Sequence, residues 1–415
     1  EQFFFFFSQI HRVEHIIVVN PFGLLVNDPR VVVFFELTKS SGSHFDWIDS
    51  PEDNAAGICY TSGTTGNPKG VVYSHKTTYL HALASRSVDS FGVHERDTIL
   101  MLPSMFHANA WGFPYSGWLS GADMVMPGPH LQIPHLRAMI SSSVPTLLGD
   151  LLRTDESESL DCSCFRAIIC GGSAVPSSMI DAARDRWGVA VIQGWGMTET
   201  SPMCVLSHPP KDLRGHSETD FRIKSGRPVP GIEVRVINDQ GERIPCDGKT
   251  VGELQLRGAW VTGSYLDIES DAFTQDGWLK TGDVGHIDPQ GYVQLTDRSK
   301  DVIKSGGEWI SSVDLEDAIL AYPGVEEVAV IAIPDERWQE RPLVIIVSSE
   351  DDRPSPADIR IYLNTRVAGF WVPEYWSFVD AIPKTSVGKI DKAQLRKDLQ
   401  ASVITPIYVK GGNES

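Results

Sequence analysis

Cysteine is scarce in this 415-residue chain: Cys59, Cys162, Cys164, Cys170, Cys204 and Cys246, with no CxxC spacing among them. That argues against a zinc site or a disulfide framework and makes a reducing, cytoplasmic setting the expectation. Basic charge is also short, with 36 Lys and Arg against 54 Asp and Glu, a net −18. Such a chain repels a nucleic-acid backbone. An anionic substrate would have to be held by a local site of backbone N–H groups, a few cations and a divalent metal, against the overall field. Long apolar runs are missing too. Phe3 to Phe7 follows Glu1 without a basic flank and is far too short to span a bilayer, so no transmembrane segment is expected. The terminal Gly411-Gly-Asn-Glu-Ser415 does not read as a peroxisomal address. There is no internal repeat.

What is present is ordinary globular material, 41% hydrophobic and 22% charged, long enough for two or three cores. From about residue 55 to 300, β-branched runs alternate with helical periods. Arg166-Ala-Ile-Ile-Cys170 predicts a strand, and Ser177 to Trp187, closed by Gly188, predicts a helix. This is the grammar of an α/β domain. Between Gly231 and Arg298 the texture changes to short strands, Glu233 to Ile237, Gly252 to Arg257 and Tyr292 to Thr296, which predict a small β subdomain. A smaller α+β C-terminal unit follows, with helices at Val313 to Ala321, Ser355 to Val367 and Lys392 to Leu399, and strands at Glu327 to Ile333 and Pro342 to Ser348.

Thr61-Ser-Gly-Thr-Thr-Gly-Asn-Pro-Lys-Gly70 places two interior glycines, four hydroxyls and one lysine in ten residues, which suits wrapping phosphate oxygens. By composition alone it is as often a flexible surface loop. It is not a Walker loop, since no Gly-Lys-Ser/Thr opens a helix. Further on come Gly171-Gly-Ser-Ala174, Gln193-Gly-Trp-Gly-Met-Thr-Glu199, Thr281-Gly-Asp283, Asp297-Arg-Ser-Lys-Asp301, Gly306-Gly-Glu-Trp309 and Pro383-Lys-Thr-Ser-Val-Gly-Lys389. Taken singly these are turns, a core aromatic and solvated surface charges.

Together and in this order they resemble the adenylate-forming superfamily, in its acyl-CoA synthetase branch, over roughly residues 45 to 400. The resemblance implies a large N-terminal α/β adenylation domain over residues 1–299 with its small β subdomain. A mobile α+β domain over residues 300–405 follows, with the hinge near Lys300. It implies ATP, Mg2+ and coenzyme A as small-molecule partners. Thr61, Ser62, Gly63, Thr64, Thr65, Gly66 and Lys69 would form the phosphate loop. Gly171, Gly172 and Ser173 would line the adenine, with Gln193, Gly194, Trp195, Gly196 and Met197 beside it. Trp195 stands where many relatives have Tyr, which keeps the stacking face and removes a hydroxyl. Thr198 would contact the α-phosphate, and Glu199 would bind the metal. Asp283 and Arg298 would take the ribose and its phosphate edge. Gly306, Gly307 and Glu308 would enter the site for thioester formation, and Lys389 for adenylation.

In Pro103-Ser-Met-Phe-His-Ala-Asn-Ala-Trp111, the residues Phe106, His107 and Trp111 correspond to the family's acyl-pocket border. His107 could equally be a satisfied core histidine. An apolar wall there favours an aliphatic acid. The implied reaction is ATP-dependent activation of a medium- or long-chain fatty acid to acyl-AMP, then to acyl-CoA. Two alternatives stay open, a different acyl acceptor and an inactive shortened homologue. The family carries a further segment ahead of the phosphate loop, where this sequence has 60 residues, so the chain reads as N-terminally shortened, with an exposed sheet edge or apolar face expected. A homo-oligomer is compatible with the sequence.

Overall fold

The computed structural model describes residues 13–19, 28–39, 42, 44–61, 68–127, 140–158, 162–238, 240–298, 301–306, 308–349, 353–384 and 390–409. The chain divides into two compact units, residues 1–51 and 52–415. In the first, β1 (Ile16–Val18) runs parallel to β2 (Val31–Val33), which leads into α1 (Phe34–Lys39). Arg30 donates through Nε and Nη2 to the two carboxylate oxygens of Asp28 at 3.0 and 2.6 Å, at the entry to β2. So short a unit buries little, and Phe35, Phe45, Trp47 and Ile48 stay exposed.

The second unit opens with the hairpin β3 (Ala55–Tyr60) and β4 (Gly70–Ser74), then α2 (His75–Ser85). Ser74 caps α2. Its Oγ accepts from the Thr77 N–H at 3.1 Å, while Thr77 Oγ1 accepts from the Ser74 N–H at 2.9 Å. The outer side chains of β3, Ile58 and Tyr60, face solvent.

A seven-stranded sheet follows, formed by β5 (Thr98–Leu100), β6 (Asp123–Val125), β7 (Ile140–Ser143), β8 (Ala167–Gly171), β9 (Ala190–Gly196), β10 (Met203–Leu206) and β11 (Arg227–Pro228). Its order is β11-β10-β9-β8-β7-β5-β6, parallel from β9 to β6 and antiparallel at β10 and β11. The connecting helices are α3 (Phe113–Ser120), α4 (Pro145–Glu158) and α5 (Ser177–Trp187). β8 is buried at every position, as a strand covered on both faces requires. Its side chains alternate between two cores. Ala167 and Ile169 join Phe113 and Ile192, whereas Ile168 and Cys170 join Leu148 of α4 and Ile180 of α5. Gly188, at φ 71°, stops α5 where the sequence predicts.

An ion pair between buried Asp97 and partly exposed Arg166 ties the entrances of β5 and β8. Arg166 donates from Nε to Asp97 Oδ1 at 2.9 Å and from Nη2 to Oδ2 at 2.8 Å, and also to the Gly92 carbonyl at 2.9 Å. Burial pushes the Asp97 pKa up, but the Arg166 hydrogen bonds and the His94 N–H pull it down further, so the carboxyl titrates below its ordinary value. Asp97→Ala removes two charge-assisted hydrogen bonds from a guanidinium that keeps its carbonyl acceptors and some solvent, and is expected to cost about 1.5–3 kcal/mol in urea unfolding. In the parent protein this stabilisation is fully present above the unfolded carboxyl's pKa of about 4 and is lost as pH falls through the lower folded value. A parent and variant that lose stability in parallel below pH 4 would refute the assignment.

A four-stranded antiparallel sheet carries β12 (Ile232–Ile237), β13 (Gly252–Gly258), β14 (Leu279–Ile287) and β15 (Val293–Arg298) in that order. β14 is a strand that local periodicity did not single out, and it holds Asp283. The last sheet contains β16 (Ile303–Ser305), β17 (Glu308–Ile310), β18 (Glu327–Asp335), β19 (Gln339–Val347), β20 (Tyr375–Phe378) and β21 (Ile407–Tyr408). α6 (Ser312–Leu320) and α7 (Pro356–Leu363) cover the face bearing Val328, Val330, Val344 and Ile346. α8 (Lys392–Gln400) covers the opposite face through Leu395. The α/β, β and α+β textures of the sequence thus appear in the expected order.

Candidate active site

The carboxyl ends of β8 and β9 are where an open parallel sheet receives a ligand. The β3–β4 hairpin, whose register pairs Tyr60 with Gly70, brings together the two ends of the predicted loop. Beyond that pair the chain makes a closed neck. The Thr61 N–H donates to the Lys69 carbonyl at 2.9 Å, and the Lys69 N–H donates to Thr61 Oγ1 at 3.1 Å. Ser62, Gly63, Thr64, Thr65 and Gly66 lie outside the described residues.

From the neck, Lys69 Nζ stands 4.8 Å from the ring centroid of Tyr265, a cation–π distance. The Tyr265 hydroxyl donates to Glu199 Oε1 at 2.6 Å. Burial, and then the Glu199 carboxylate, push the Tyr265 pKa far up, so it remains a donor. The Tyr73 hydroxyl donates to the Thr198 carbonyl at 2.7 Å, and the Thr262 N–H to the Glu199 carbonyl at 2.8 Å. Glu199 is 6% exposed in a 3-10 turn, Thr198–Thr200, directly after β9. The turn must pass close to its own return: a Cβ on Gly196 would stand 1.6 Å from the Pro202 carbonyl oxygen. Only glycine fits there.

On β9 the Trp195 indole N–H donates to Asp283 Oδ2 at 2.8 Å, joining residues 88 apart. Asp283 lies opposite Arg298 in the β14–β15 register, and its N–H donates to Thr281 Oγ1 at 3.0 Å. The Arg298 side chain is outside the described residues. Gly171 and Gly194 are register partners on β8 and β9. Gly172 takes φ +92°, and Ser173 is exposed. Gln193 is spent on the scaffold: its Oε1 accepts from the Val175 N–H at 2.7 Å, and its Nε2 donates to the carbonyls of Ile223 and Lys224 at 3.1 and 3.2 Å. Met197 is half-buried at the start of the Glu199 turn.

The segment predicted to border an acyl pocket has an unusual backbone. Ala108, Asn109, Ala110 and Trp111 have φ of 44°, 52°, 49° and 59°, a left-handed turn that Gly112 continues at 75°. Each non-glycine residue there costs about 1–2 kcal/mol. Burial of Ala110 and Phe113 and a 3.2 Å hydrogen bond from the Cys59 thiol to Asn109 Oδ1 offset that cost. The turn delivers the Trp111 ring against Gly171, where an added Cβ would meet Cη2 at 3.2 Å. It also presses Gly112 onto His81, a buried imidazole whose pKa burial pushes down to about 3 and whose Nε2 accepts from the Met203 N–H. A polar cavity of about 10 Å³, room for one water, opens between Tyr73, His81, Asn109, Tyr115 and Ser201. His107 is half-buried at the head of the turn, and Phe106 is 70% exposed.

Residues 24–266 match the family of AMP-binding enzymes, and residues 314–389 match the AMP-binding enzyme C-terminal domain. The chain belongs to the AMP-binding enzymes, in their acyl-CoA synthetase branch. It is 40% identical to a 3-methylmercaptopropionyl-CoA ligase of Ruegeria pomeroyi, over 88% of this chain and 70% of the relative. It is also 40% identical to a long-chain-fatty-acid–CoA ligase of Thermus thermophilus, over 94% and 73%. Among solved structures, an anthranilate CoA ligase in complex with anthranoyl-AMP is similar with a TM-score of 0.82 at 27% identity, over 96% of this chain and 77% of that one. An o-succinylbenzoate coenzyme A synthetase of Bacillus subtilis in complex with ATP and magnesium ion has a TM-score of 0.74 at 28% identity, over 88% and 75%.

ATP, Mg2+ and coenzyme A are the small molecules that go with this branch of AMP-binding enzymes. The donor set fits Mg2+. Among the described residues no group of three or more His, Cys, Asp or Glu could hold a metal by itself. Glu199 instead offers one buried carboxylate, and Mg2+ is characteristically held by one or two carboxylates, waters and substrate phosphates. In the C-terminal sheet, Gly306 at φ +61° donates its N–H to the Trp338 carbonyl at 2.8 Å, and a Cβ there would strike the Trp338 ring at 2.7 Å. Buried Arg341 pairs with Glu374 and donates to Ser305 Oγ at 3.0 Å, bracing the same turn. Lys300, Gly307 and Lys389, and the side chain of Glu308, lie outside the described residues. Tyr265, Tyr73, Trp338 and Arg341 went unremarked in the sequence because each joins its partner through tertiary contact, with no local motif. No helix of the described residues is long and apolar enough to cross a membrane.

Proposed function

We propose that this enzyme activates a medium- or long-chain aliphatic acid with MgATP and passes the acyl group to coenzyme A. The observation that carries the nucleotide half is the chain of contacts from Lys69 through Tyr265 to Glu199, with the Trp195–Asp283 pair on the same strand end. The apolar Trp111 ring against Gly171 carries the acyl half. Relatives acting on 3-methylmercaptopropionate and on medium- and long-chain fatty acids support an aliphatic substrate.

In this reading Thr61 to Gly66 and Lys69 cradle the β- and γ-phosphates, with Thr198 at the α-phosphate. Trp195, Gly171, Gly172 and Ser173 border the adenine, and Asp283 and Arg298 hold the ribose. Gln193, Gly194, Gly196 and Met197 shape that wall. Bound Mg2+ at Glu199 would neutralise charge on the phosphate oxygens. A substrate carboxylate oxygen forms a bond to the α-phosphorus as the bond to the bridging oxygen breaks, and pyrophosphate leaves with that electron pair. Lys389 steadies the growing charge. The CoA sulfur, having lost its proton, then attacks the acyl carbon, and AMP leaves with the acyl–oxygen electron pair. Domains at residues 1–299 and 300–405, turning near Lys300, would exchange Lys389 for Gly306, Gly307 and Glu308 between the steps. Phe106 and His107 would border the acid's entrance. A reducing, cytoplasmic setting is part of this reading, supported by the scarcity of cysteine and the lack of CxxC spacing. Pairing of two copies is compatible with this reading and is not needed by it.

The test is AMP formation across straight-chain acids from acetate to palmitate, with and without CoA. Sustained turnover that requires CoA and peaks beyond six carbons is expected. AMP release indifferent to CoA would remove the ligase reading, and a preference for acetate or for dicarboxylates would remove the aliphatic pocket.

A further inference from the structure

We infer that Tyr265 is a spacer between the cation of the phosphate loop and the carboxylate proposed to hold the metal. It takes the Lys69 ammonium on its ring face and Glu199 on its hydroxyl, and so keeps the two from closing on each other as an ion pair. This deepens the nucleotide-site reading above and rests on it. Opposite charges brought to one small site attract, and the pull grows as water is excluded. A direct Lys69–Glu199 pair would cancel both charges. It would have to open before a phosphate could use the ammonium or a dication the carboxylate. Among the described residues neither Lys69 nor Glu199 has an ionic partner, yet one aromatic residue touches both.

Tyr265 is fixed in place. Its backbone bridges to Val71 of β4, and the next residue, Leu266, donates its N–H to the Gly70 carbonyl at 2.8 Å, directly beside the loop neck. The side chain is buried in a small core with Cys59, Val71 and Tyr73, and Phe273 tilts against it with 5.7 Å between ring centroids. Lys69 carries its compact charge on a flexible four-carbon stem, so a rigid partner has to hold it. An aromatic face does so by an attraction that phosphate oxygens can outcompete. At the other end, a neutral hydroxyl donates to Oε1 and leaves the carboxylate its charge. The Glu199 backbone is held separately, by the Thr262 N–H to its carbonyl and the Tyr73 hydroxyl to that of Thr198, so Tyr265 acts on the side chain.

The test is a double-mutant cycle between positions 265 and 69. The readout is the Kd of the magnesium complex of α,β-methylene-ATP, an analogue that cannot release pyrophosphate, by isothermal titration calorimetry, with Tm measured alongside. Tyr265→Leu in the parent is expected to raise Kd roughly tenfold, because Lys69 and Glu199 then pair and the nucleotide must open that pair. In a Lys69→Met background the same substitution should change Kd by less than about twofold, since no ammonium remains to pair. Tyr265→Phe keeps the ring face and should stay within about threefold of the parent. Tyr265→Met is made beside Tyr265→Leu so that one folded protein suffices. A core aromatic with no spacing role would lower Tm and raise Kd by the same factor in both backgrounds, and that result overturns the inference. A phenylalanine that costs as much as leucine also overturns it, by placing the effect in the hydroxyl. Lys69→Met alone tests the reading underneath. If it leaves Kd at the parental value, Lys69 does not meet the phosphates and the loop assignment itself falls. If it raises Kd while Tyr265→Leu costs the same with and without Lys69, only the spacer falls.

Discussion

Glu199→Gln is expected to slow pyrophosphate release on the order of a thousandfold while leaving the fold intact. The substitution keeps an oxygen where Oε1 now accepts the Tyr265 hydroxyl at 2.6 Å, so the local hydrogen bond survives. What disappears is the carboxylate charge that Glu199 is proposed to offer a hard dication. Metal stabilisation of phosphoryl charge is worth several kcal/mol, and about 4 kcal/mol corresponds to that thousandfold loss. A magnesium titration of the residual activity should show a midpoint moved to much higher concentration, with Tm nearly that of the parent. Tyr265→Phe, which keeps the carboxylate but releases it from its tether, should give a far smaller defect. A parental magnesium midpoint in Glu199→Gln would remove Glu199 from the metal site.

Lys389→Ala should separate the two half-reactions. An ammonium bridging the substrate carboxylate and the α-phosphate acts on charge that exists only while that bond forms, and losing such a group costs on the order of 10²–10³ in rate. Adenylation, followed by pyrophosphate release, is expected to fall by that factor. Thioester formation from supplied acyl-AMP and CoA should stay within about threefold. Equal slowing of both steps would mean that Lys389 supports the domain as a whole and does not leave the site between steps.

Contiguous features were the ones that could be read in advance. The buried run of β8 and the helix closed by Gly188 each write their physics into neighbouring residues. The three C-terminal helices and the strands β18 and β19 were legible for the same reason, with ends displaced by a few residues, whereas the short strands β16, β17, β20 and β21 were not singled out. β14 was hidden because its Leu-Lys-Thr-Gly-Asp stretch is glycine-bearing and half-exposed, so its apolar alternation is faint until it pairs with β13 and β15. The contacts that assemble the site span much longer separations. Trp195 reaches Asp283, Tyr265 reaches Glu199 and Tyr73 reaches Thr198 across 88, 66 and 125 residues. No local window contains both partners. The left-handed turn at Ala108 to Trp111 gave still less warning, since two of its four residues are alanines with no preference for that conformation.

That turn sets a limit on how far the residues packed against it can vary. Two glycines are each locked to a different element: a Cβ on Gly171 runs into the Trp111 ring at 3.2 Å and the Gly194 carbonyl at 3.0 Å, and a Cβ on Gly112 runs into the His81 imidazole at 2.4 Å. A side chain at 171 still meets the Gly194 carbonyl after 111 has shrunk, and one at 112 still sits on a left-handed backbone after 81 has. Libraries at 171 and 112 should therefore return mostly dead clones even when 111 or 81 is varied alongside, so variation of this wall has to come from its other positions.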